Sequence, residues 1–359
     1  MSTKTRDEAL SLILNKVKLL KLQPGAHGPL TKILIAIFTI SRMIQLYYAI
    51  KLISYNTSDL LLMANGAKTV AIMCQGVKII VLMRENDFNS LLESMDHFWY
   101  SEEVEKMYKI AKLFTMAFIN FVYVAFIFVI ALPIVLGYYP FIADFPKFPG
   151  SFIIFALAQG FQLLFDVIVV LAVDSLFLCV AFFVYPQFKM LNNRLEKLAT
   201  NEEIMYEEAR ICIRHHKFLL KFVKKFANMF ISALLGQYCI TIISVCIEIF
   251  FFTKQSAFNM LVSSFYLIAL LFQLSLYCFP ADLVTQEALN TGGAIINSNW
   301  YNHPKFAKIF VQNIVQRAQK KVIFSAGGLV EINRVAFTMI FKWTLSCYTL
   351  MRDIEKMMT

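Results

Sequence analysis

Seven apolar blocks, each of roughly 20 residues or more, dominate this 359-residue chain. A helix rises about 1.5 Å per residue, so each block is long enough to cross the ~30 Å hydrocarbon layer of a membrane. The composition agrees, because 58% of the residues are hydrophobic and only 16% are charged, whereas soluble domains carry about 25% charged residues. The blocks cover 31–54, 58–83, 114–138, 152–185, 227–252, 258–283 and 329–352.

The blocks predict an all-α membrane protein with seven transmembrane helices. A backbone in lipid must satisfy its own hydrogen bonds, and the alternating pattern of barrel strands is absent. Segment 1–30 is predicted to be a basic amphipathic helix on the inner membrane face, since Leu10, Ile13 and Leu14 recur at helical spacing. Three further segments follow it: six spans in 31–283, a polar segment at 284–328, and the seventh span with a short tail at 329–359.

Lys and Arg are divided unequally between the two sides of the membrane. The segments 1–30, 84–113, 186–225 and 284–328 hold 23 of them, and the opposite side holds 5. Cytoplasmic loops carry such an excess, so we predict a cytoplasmic amino terminus and an extracellular carboxyl terminus. Asn56, in the only N-x-S/T sequon, then becomes a glycosylation candidate. Anionic membrane lipids are the expected partner of the +10 net charge, and no motif supports nucleic-acid binding.

The last span carries a polar stripe. At 100° per residue, Lys342, Ser346, Thr349 and Asp353 share one flank of the helix. A charge at mid-membrane costs at least about 2.5 kcal/mol, so Lys342 must face water or polar groups. Hydrogen bonding between helices is one explanation, and a pore wall is the other. In a pore, Leu350 would form an apolar ring that closes by dewetting, and Asp353 an acidic mouth that favours cations. One helix cannot enclose a pore, so several copies would have to surround an axis.

The carboxyl-terminal third also carries ordered motifs. They are WYNHPKFAKIFVQNIVQRAQKKVIFSAG at 300–327 and SCYTLMR at 346–352, with Phe337, Thr338 and Lys342 between them. Together they resemble the carboxyl-terminal signature of insect odorant receptors. A second, weaker similarity to that family covers DSLFL at 174–178 and QFKML at 187–191. The chain departs from the family pattern at Phe183, Gly328 and Arg334.

This resemblance implies a ligand-gated cation channel in the plasma membrane of olfactory sensory neurons. Four subunits would meet through a cytoplasmic anchor at 284–328, ahead of the pore helix, and Leu350 and Asp353 would serve as gate and outer polar site. The co-receptor's long insertion between spans four and five is missing, since only 186–225 lies there. The chain is therefore expected to be an odorant-tuning subunit that forms a heterotetramer with the odorant receptor co-receptor. The expected anchor residues are Trp300, Tyr301, Pro304, Arg317 and Lys320.

The resemblance places the odorant pocket among helices in the outer half of the membrane. A pocket for a small volatile should be enclosed, mainly apolar, and supplied with a few polar groups. Gln159, Gln162 and Tyr266 could hydrogen-bond a hydroxyl or carbonyl group, although ordinary helix packing is an alternative for each. The candidate pocket residues are Gln159, Gln162, Tyr266, Phe265, Phe126, Ile130, Phe155 and Met63.

Four charged residues inside spans two and four are expected to form buried ion pairs instead of a ligand site. They are Lys68, Lys78, Asp166 and Asp174.

Other classes of protein fit the sequence less well. A G-protein-coupled receptor would have to place the 23 basic residues outside, and its Asp-Arg-Tyr and Asn-Pro-x-x-Tyr motifs are absent. A gustatory-type receptor with the same inverted fold differs mainly in ligand class and stays open. The chain shows no phosphate loop or nucleophile motif, so we expect no enzyme activity. His215 and His216 are expected on a solvated helix face. We expect neither a cofactor nor a metal.

Overall fold

The structure is a computed structural model that describes 7–8, 10–11, 13–15, 29–55, 66–67, 70–71, 73–78, 81, 85–136, 151–198, 202–252, 257–302 and 310–358. The described chain is helical almost throughout, as predicted. Its helices are α1 (Pro29–Tyr55), α2 (Glu85–Ser94), α3 (Glu102–Leu136), α4 (Ser151–Glu196), α5 (Glu202–Phe252), α6 (Ala257–Ile296), α7 (Gln312–Ala318) and α8 (Arg334–Met358). Single 3-10 turns lie at Gln75–Lys78, Met95–His97 and Trp300–Asn302, and two short antiparallel strands, β1 (Ser325–Ala326) and β2 (Val330–Glu331), form a hairpin.

Five helical segments in the described part of the chain are long and apolar enough to cross a membrane. They are Ile35–Tyr55, Glu102–Val124, Gly160–Glu196, Glu203–Ile249 and Ser264–Ile296. These segments contain or overlap predicted spans one, three, four, five and six. The second predicted span is described only at scattered positions between 66 and 81, all of them helical. The seventh corresponds to α8, which is less apolar and more amphipathic than the other long helices because of its polar stripe.

Three helices run far beyond the membrane thickness. With 46, 51 and 40 residues, α4, α5 and α6 are about 69, 76 and 60 Å long. The predicted loop 186–225 is thus helical at 186–196 and 202–225, and the predicted boundary at 283 falls inside α6. The apolar pattern continues past the membrane at helical spacing, since Val284, Ala288 and Ile295 are buried.

These extensions, together with α7 and the first strand of the hairpin, form what we call the anchor end, residues 186–225 and 284–328. Phe177 of α4 lies at the centre of an aromatic cluster that borders the anchor end. Its ring centroid is 5.0 Å from that of Phe226 in α5, 4.9 Å from that of Tyr277 in α6 and 5.7 Å from that of Phe324 beside β1. Such edge and tilted contacts add to the stability gained by burial. One hydrophobic core therefore joins α4, α5, α6 and the hairpin.

The hairpin sets the start of the last helix. Gly327 and Gly328 have φ of 60° and 77°, a left-handed conformation that other residues adopt only at a cost. Leu329 N donates to Ala326 O at 2.9 Å and closes the turn. Asn333 then caps α8, because its side-chain oxygen accepts from Ala336 N at 2.8 Å. The last helix therefore begins at Arg334 and not at 329 as predicted.

The amino-terminal segment contacts the protein through its apolar side. Leu10 and Ile13 are buried in the main core, and Leu14 packs against it. Glu8 forms an ion pair with Lys112 of α3 at 2.5 Å. The apolar residues that suggested an amphipathic helix thus lie against the bundle itself.

Candidate functional site

Helix α8, which corresponds to the seventh predicted span, presents its polar stripe on an exposed face. All five residues predicted for the pore wall and gate are exposed: Lys342, Ser346, Thr349, Leu350 and Asp353. Leu350 is 61% exposed. The hydroxyls bond within the helix, since Ser346 Oγ donates to Lys342 O at 3.1 Å and Thr349 Oγ1 to Ser346 O at 2.9 Å. Within the described part of the chain, the bonds that these two hydroxyls donate thus stay inside α8.

The opposite face of α8 holds it against the bundle. Ala336, Ile340 and Thr344 recur every four residues and are buried, and α8 packs on α5 and α6. At the base of the helix, the guanidinium of Arg334 pairs with Asp282 of α6. The departure from the family pattern at Arg334 therefore introduces an ionic contact between α6 and the root of α8.

A buried polar network lies inside the helix bundle. Lys78 Nζ is 2.6 Å from Asp174 Oδ1 of α4, which confirms the expected ion pair. The same carboxylate accepts from Gln273 Nε2 at 2.6 Å and from the Tyr277 hydroxyl, both on α6. Gln237 of α5 extends the network by donating to Gln273 Oε1 at 3.2 Å. The network joins the second predicted span to α4, α5 and α6.

A second buried ion pair fastens α1 to α4. Asp166 pairs with Arg42 of α1, and the side-chain amide of Gln162 lies beside this pair, where its oxygen can accept from Arg42 Nη2 at 2.8 Å. Gly76 leaves room for this contact, because a Cβ there would lie 1.4 Å from Nη1 of Arg42. The expected pairing of Asp166 is confirmed with a partner that the sequence did not identify. Lys68 lies outside the described residues.

Three of the candidate pocket side chains are described, and they point to different neighbours. Phe265 of α6 lies 6.3 Å from the ring of Phe121 on α3. Tyr266 lies beside Ser244 and Glu248 of α5. Gln162 is buried, and the Arg42–Asp166 pair already engages its amide. Phe126, Ile130, Phe155 and Gln159 lie on α3 and α4 with side chains outside the described set, as are Met63 and the glycosylation candidate Asn56.

The candidate anchor residues lie together at the anchor end. Trp300 packs against the main core, and its indole N–H donates to Ile296 O at 2.9 Å. Tyr301, Arg317 and Lys320 are exposed, and Arg317 Nη1 donates to Lys320 O at 3.4 Å. Pro304 lies outside the described residues. The exposed residues leave a surface on which another subunit could pack.

The two adjacent histidines are buried, so the expected solvated face is wrong. Trp99 stacks on His215 at 3.7 Å with an interplanar angle of 9°, and the Arg194 guanidinium lies 4.2 Å over the Trp99 ring. Gln187 holds both backbone groups of Trp99, accepting from its N at 2.7 Å and donating to its O at 2.9 Å. The sequence did not predict this stack of Arg194, Trp99 and His215, because the basic residues around the histidines suggested that every face of the helix is in contact with solvent.

Comparison with known proteins points to one family. The family described as 7tm Odorant receptor matches residues 68–345. Odorant receptor 82a of Drosophila melanogaster is 25% identical over 188 residues, which cover 51% of this chain and 49% of that protein. The odorant receptor coreceptor of Aedes aegypti is 24% identical over 153 residues, covering 42% of this chain and 32% of that protein. The matches thus span about half the length of these curated relatives or less.

Solved structures share the fold over nearly the whole chain. The insect olfactory receptor OR5 from Machilis hrabei superimposes with a TM-score of 0.84 at 12% identity, covering 96% of this chain and 98% of that chain. A second structure of that receptor, in complex with eugenol, gives a TM-score of 0.83 at 12% identity, covering 97% of this chain and 99% of that chain. At this identity the likeness establishes the seven-helix membrane fold alone. Together with the match over 68–345, it shows that this chain belongs to the 7tm Odorant receptor family.

Proposed function

We propose that this chain is the odorant-binding subunit of a ligand-gated cation channel. The observation that carries the proposal is the exposed polar stripe of α8 in a member of this family. In an isolated chain Lys342 would face lipid, which is costly for a charged group. When several subunits surround an axis, the same stripe lines a water-filled path, with Leu350 as its apolar constriction and Asp353 at its outer mouth.

The partner in this proposal is the odorant receptor co-receptor, with four subunits meeting at the anchor end. Relatives of this chain include a protein of that name. The short connection at 197–201 between α4 and α5 supports a tuning subunit, because the co-receptor pattern has a long insertion between the corresponding spans. The excess of basic residues supports a cytoplasmic anchor end and an extracellular carboxyl terminus. The proposed location is the plasma membrane of olfactory sensory neurons.

The proposed ligand is a small volatile held between α3, α5 and α6. A structure of the related fold is described as a complex with eugenol, an aromatic molecule with polar oxygens. Phe265 supplies an aromatic wall toward Phe121. Tyr266 supplies a hydroxyl on the α5 side, next to Ser244. Gln162 is a weaker candidate for ligand contact than its sequence position suggested, because the Arg42–Asp166 pair already engages its amide.

The gating route in this proposal runs along α6. That one helix carries Tyr266 in the proposed pocket, Gln273 in the buried network and Asp282 at the pair with Arg334. A ligand that binds better when α6 is displaced favours the displaced state, and only by that difference in affinity. Asp282 would pass the displacement to α8 through Arg334 and move Leu350 away from the axis.

Whole-cell recording tests the proposal. The chain is expressed with and without an odorant receptor co-receptor, and a panel of volatiles and soluble tastants is applied. The expected result is a cation current that requires both subunits and follows one class of volatile. A surface-expressed pair that ignores volatiles and responds to tastants would contradict the odorant assignment.

A further inference from the structure

A basic cavity of about 460 Å³ lies between α5 and α7 at the anchor end. Lys217, Lys221 and Lys224 line it from α5, and their spacing places them on one face of that helix. Arg317 lines it from α7. Four cationic residues from two elements therefore border one space, whose walls are mainly apolar.

The charge in this cavity is not balanced within the described chain. All four cationic side chains are exposed, and among the described residues no carboxylate forms an ion pair with any of them. The other described lining residues are Ile213, His216, Leu220, Asn313 and Ile314. Apolar walls around charges of one sign strengthen the field inside a cleft. The cavity should therefore concentrate anions.

A buried histidine supplies a second, independent indication of a ligand. His216 lines the cavity and is only 5% exposed. Its Nε2 atom has no hydrogen-bond partner within the described chain, although buried polar atoms are normally paired. Arg317 lies close enough for its charge to interact with this ring. An imidazole that carries its proton on Nε2 can donate to an anionic oxygen in the cavity.

We propose that this cavity binds a multiply phosphorylated anion. A phosphate monoester carries a charge of about −1.5 to −2 near neutral pH, so two phosphate groups match the four cationic side chains. Phosphate oxygens also accept several charge-assisted hydrogen bonds at once. Lys217, Lys221, Lys224 and Arg317 would hold the phosphates, and His216 Nε2 would donate to the innermost oxygen.

The position of the cavity favours a lipid headgroup as the source of these phosphates. The fifth predicted span begins at 227, so Lys224 lies about 5 Å and Lys217 about 15 Å along α5 from the membrane boundary. A phosphorylated inositol headgroup in the same leaflet would meet the cavity at this depth. A soluble inositol phosphate has the same recognition chemistry. The lipid source, although not the anion site itself, depends on the proposed cytoplasmic orientation of the anchor end.

Direct binding to the full-length chain in detergent tests this proposal. The two probes are soluble inositol hexakisphosphate and detergent micelles that contain phosphatidylinositol bisphosphate. The test variant is Lys217→Gln/Lys221→Gln/Lys224→Gln, and the control variant Lys106→Gln/Lys109→Gln/Lys189→Gln removes equal charge from exposed positions outside the cavity. We expect saturable binding that weakens roughly tenfold or more in the test variant and stays close to the original in the control. His216→Phe should weaken binding without changing the net charge of the exposed surface.

The outcomes separate the sources of the ligand and can overturn the site. Preference for the lipid-containing micelles assigns the cavity to a membrane lipid, and preference for the soluble probe assigns it to a free inositol phosphate; either result supports the anion site. Equal losses of probe binding in the two triple variants would show that the binding depends only on general surface charge, and would overturn the proposed site. Loss of probe binding when the co-receptor assembles with the chain would also overturn it, because the cavity would then be a subunit contact. None of these readouts requires an odorant response, so they are independent of the proposed channel function.

Discussion

Lys78 and Asp174 form an ion pair deep inside the bundle, with Nζ 2.6 Å from Oδ1 and side chains that are 2% and 0% exposed. Removing one partner of such a pair leaves an uncompensated buried charge, which costs about 3–5 kcal/mol. We therefore expect Lys78→Met to lose most of its surface expression, measured by surface biotinylation. Lys78→Met/Asp174→Asn should recover much of it, since no charge is then left buried without a partner and the amide oxygen can still accept from the Tyr277 hydroxyl.

An exposed ion pair in the same chain supplies the control for this prediction. Arg210 and Glu207 are 61% and 63% exposed in their side chains, and such pairs contribute about 1 kcal/mol or less. Glu207→Gln should leave surface expression unchanged. If Lys78→Met behaved like Glu207→Gln, the buried pair would contribute nothing to the fold.

Alanine substitutions at the two turn glycines should lower the stability of the fold by different amounts. A Cβ at Gly327 would lie 2.7 Å from Leu235 Cδ2, whereas at Gly328 it would meet nothing within 4 Å. Gly328→Ala should cost about 1–2 kcal/mol for its left-handed backbone, and Gly327→Ala roughly 1–3 kcal/mol more for the steric overlap. Thermal unfolding in detergent measures the difference.

A second substitution checks the steric origin of that difference. Leu235→Ala removes the atoms that the new Cβ would meet. Combined with Gly327→Ala, it should cost less than the two single substitutions added together. Strict additivity would mean that the hairpin and α5 do not press on each other at this point.

Some features of the fold could be predicted from the sequence, and others could not. The pairing of Lys78 and Asp174 was expected because charged groups inside an apolar bundle need partners. The partner of Asp166 was not, since Arg42 lies 124 positions away and nothing in span one marks it as facing α4. The burial of His215 was also missed, because the aromatic ring that covers it, Trp99, comes from a different part of the chain.

The lengths of the helices show a second reason why the sequence did not predict the whole fold. A search for blocks of membrane thickness finds the apolar part of a helix and stops where charged residues begin. In α4, α5 and α6 most of the described charged residues of the extensions are exposed, so the helices continue. The polar stripe of α8 lies on one exposed flank of the helix, while its role as a pore wall stays a prediction.

The ionic contact between Asp282 and Arg334 should tune the response to ligand. Its side chains are 9% and 54% exposed, so its coupling energy should be about 1 kcal/mol. Asp282→Asn and Arg334→Gln should each shift the half-maximal odorant concentration by roughly fivefold. The double variant should resemble either single variant, because the contact is already lost. Shifts that multiply in the double variant would show that the two residues act separately.

The Tyr266 hydroxyl should distinguish polar from apolar odorants. One neutral hydrogen bond contributes about 1 kcal/mol, so Tyr266→Phe should raise the half-maximal concentration of a hydroxyl or carbonyl odorant roughly fivefold to tenfold. A hydrocarbon of similar shape should keep its potency, since the ring remains. Equal losses for both kinds of odorant would indicate a packing role for Tyr266.

The central claim is that α8 lines a cation pathway closed by Leu350. The most direct measurement is the basal current of cells that express the chain with a co-receptor, carrying Leu350→Ser or Leu345→Ser. Leu350 and Leu345 are 61% and 66% exposed and lie about 140° apart around the helix. Comparing the two variants therefore tests the position of the leucine around the helix and not the type of residue. We predict that Leu350→Ser raises the odorant-free current and that Leu345→Ser does not. A basal current unchanged by Leu350→Ser, at equal surface expression, would contradict the account.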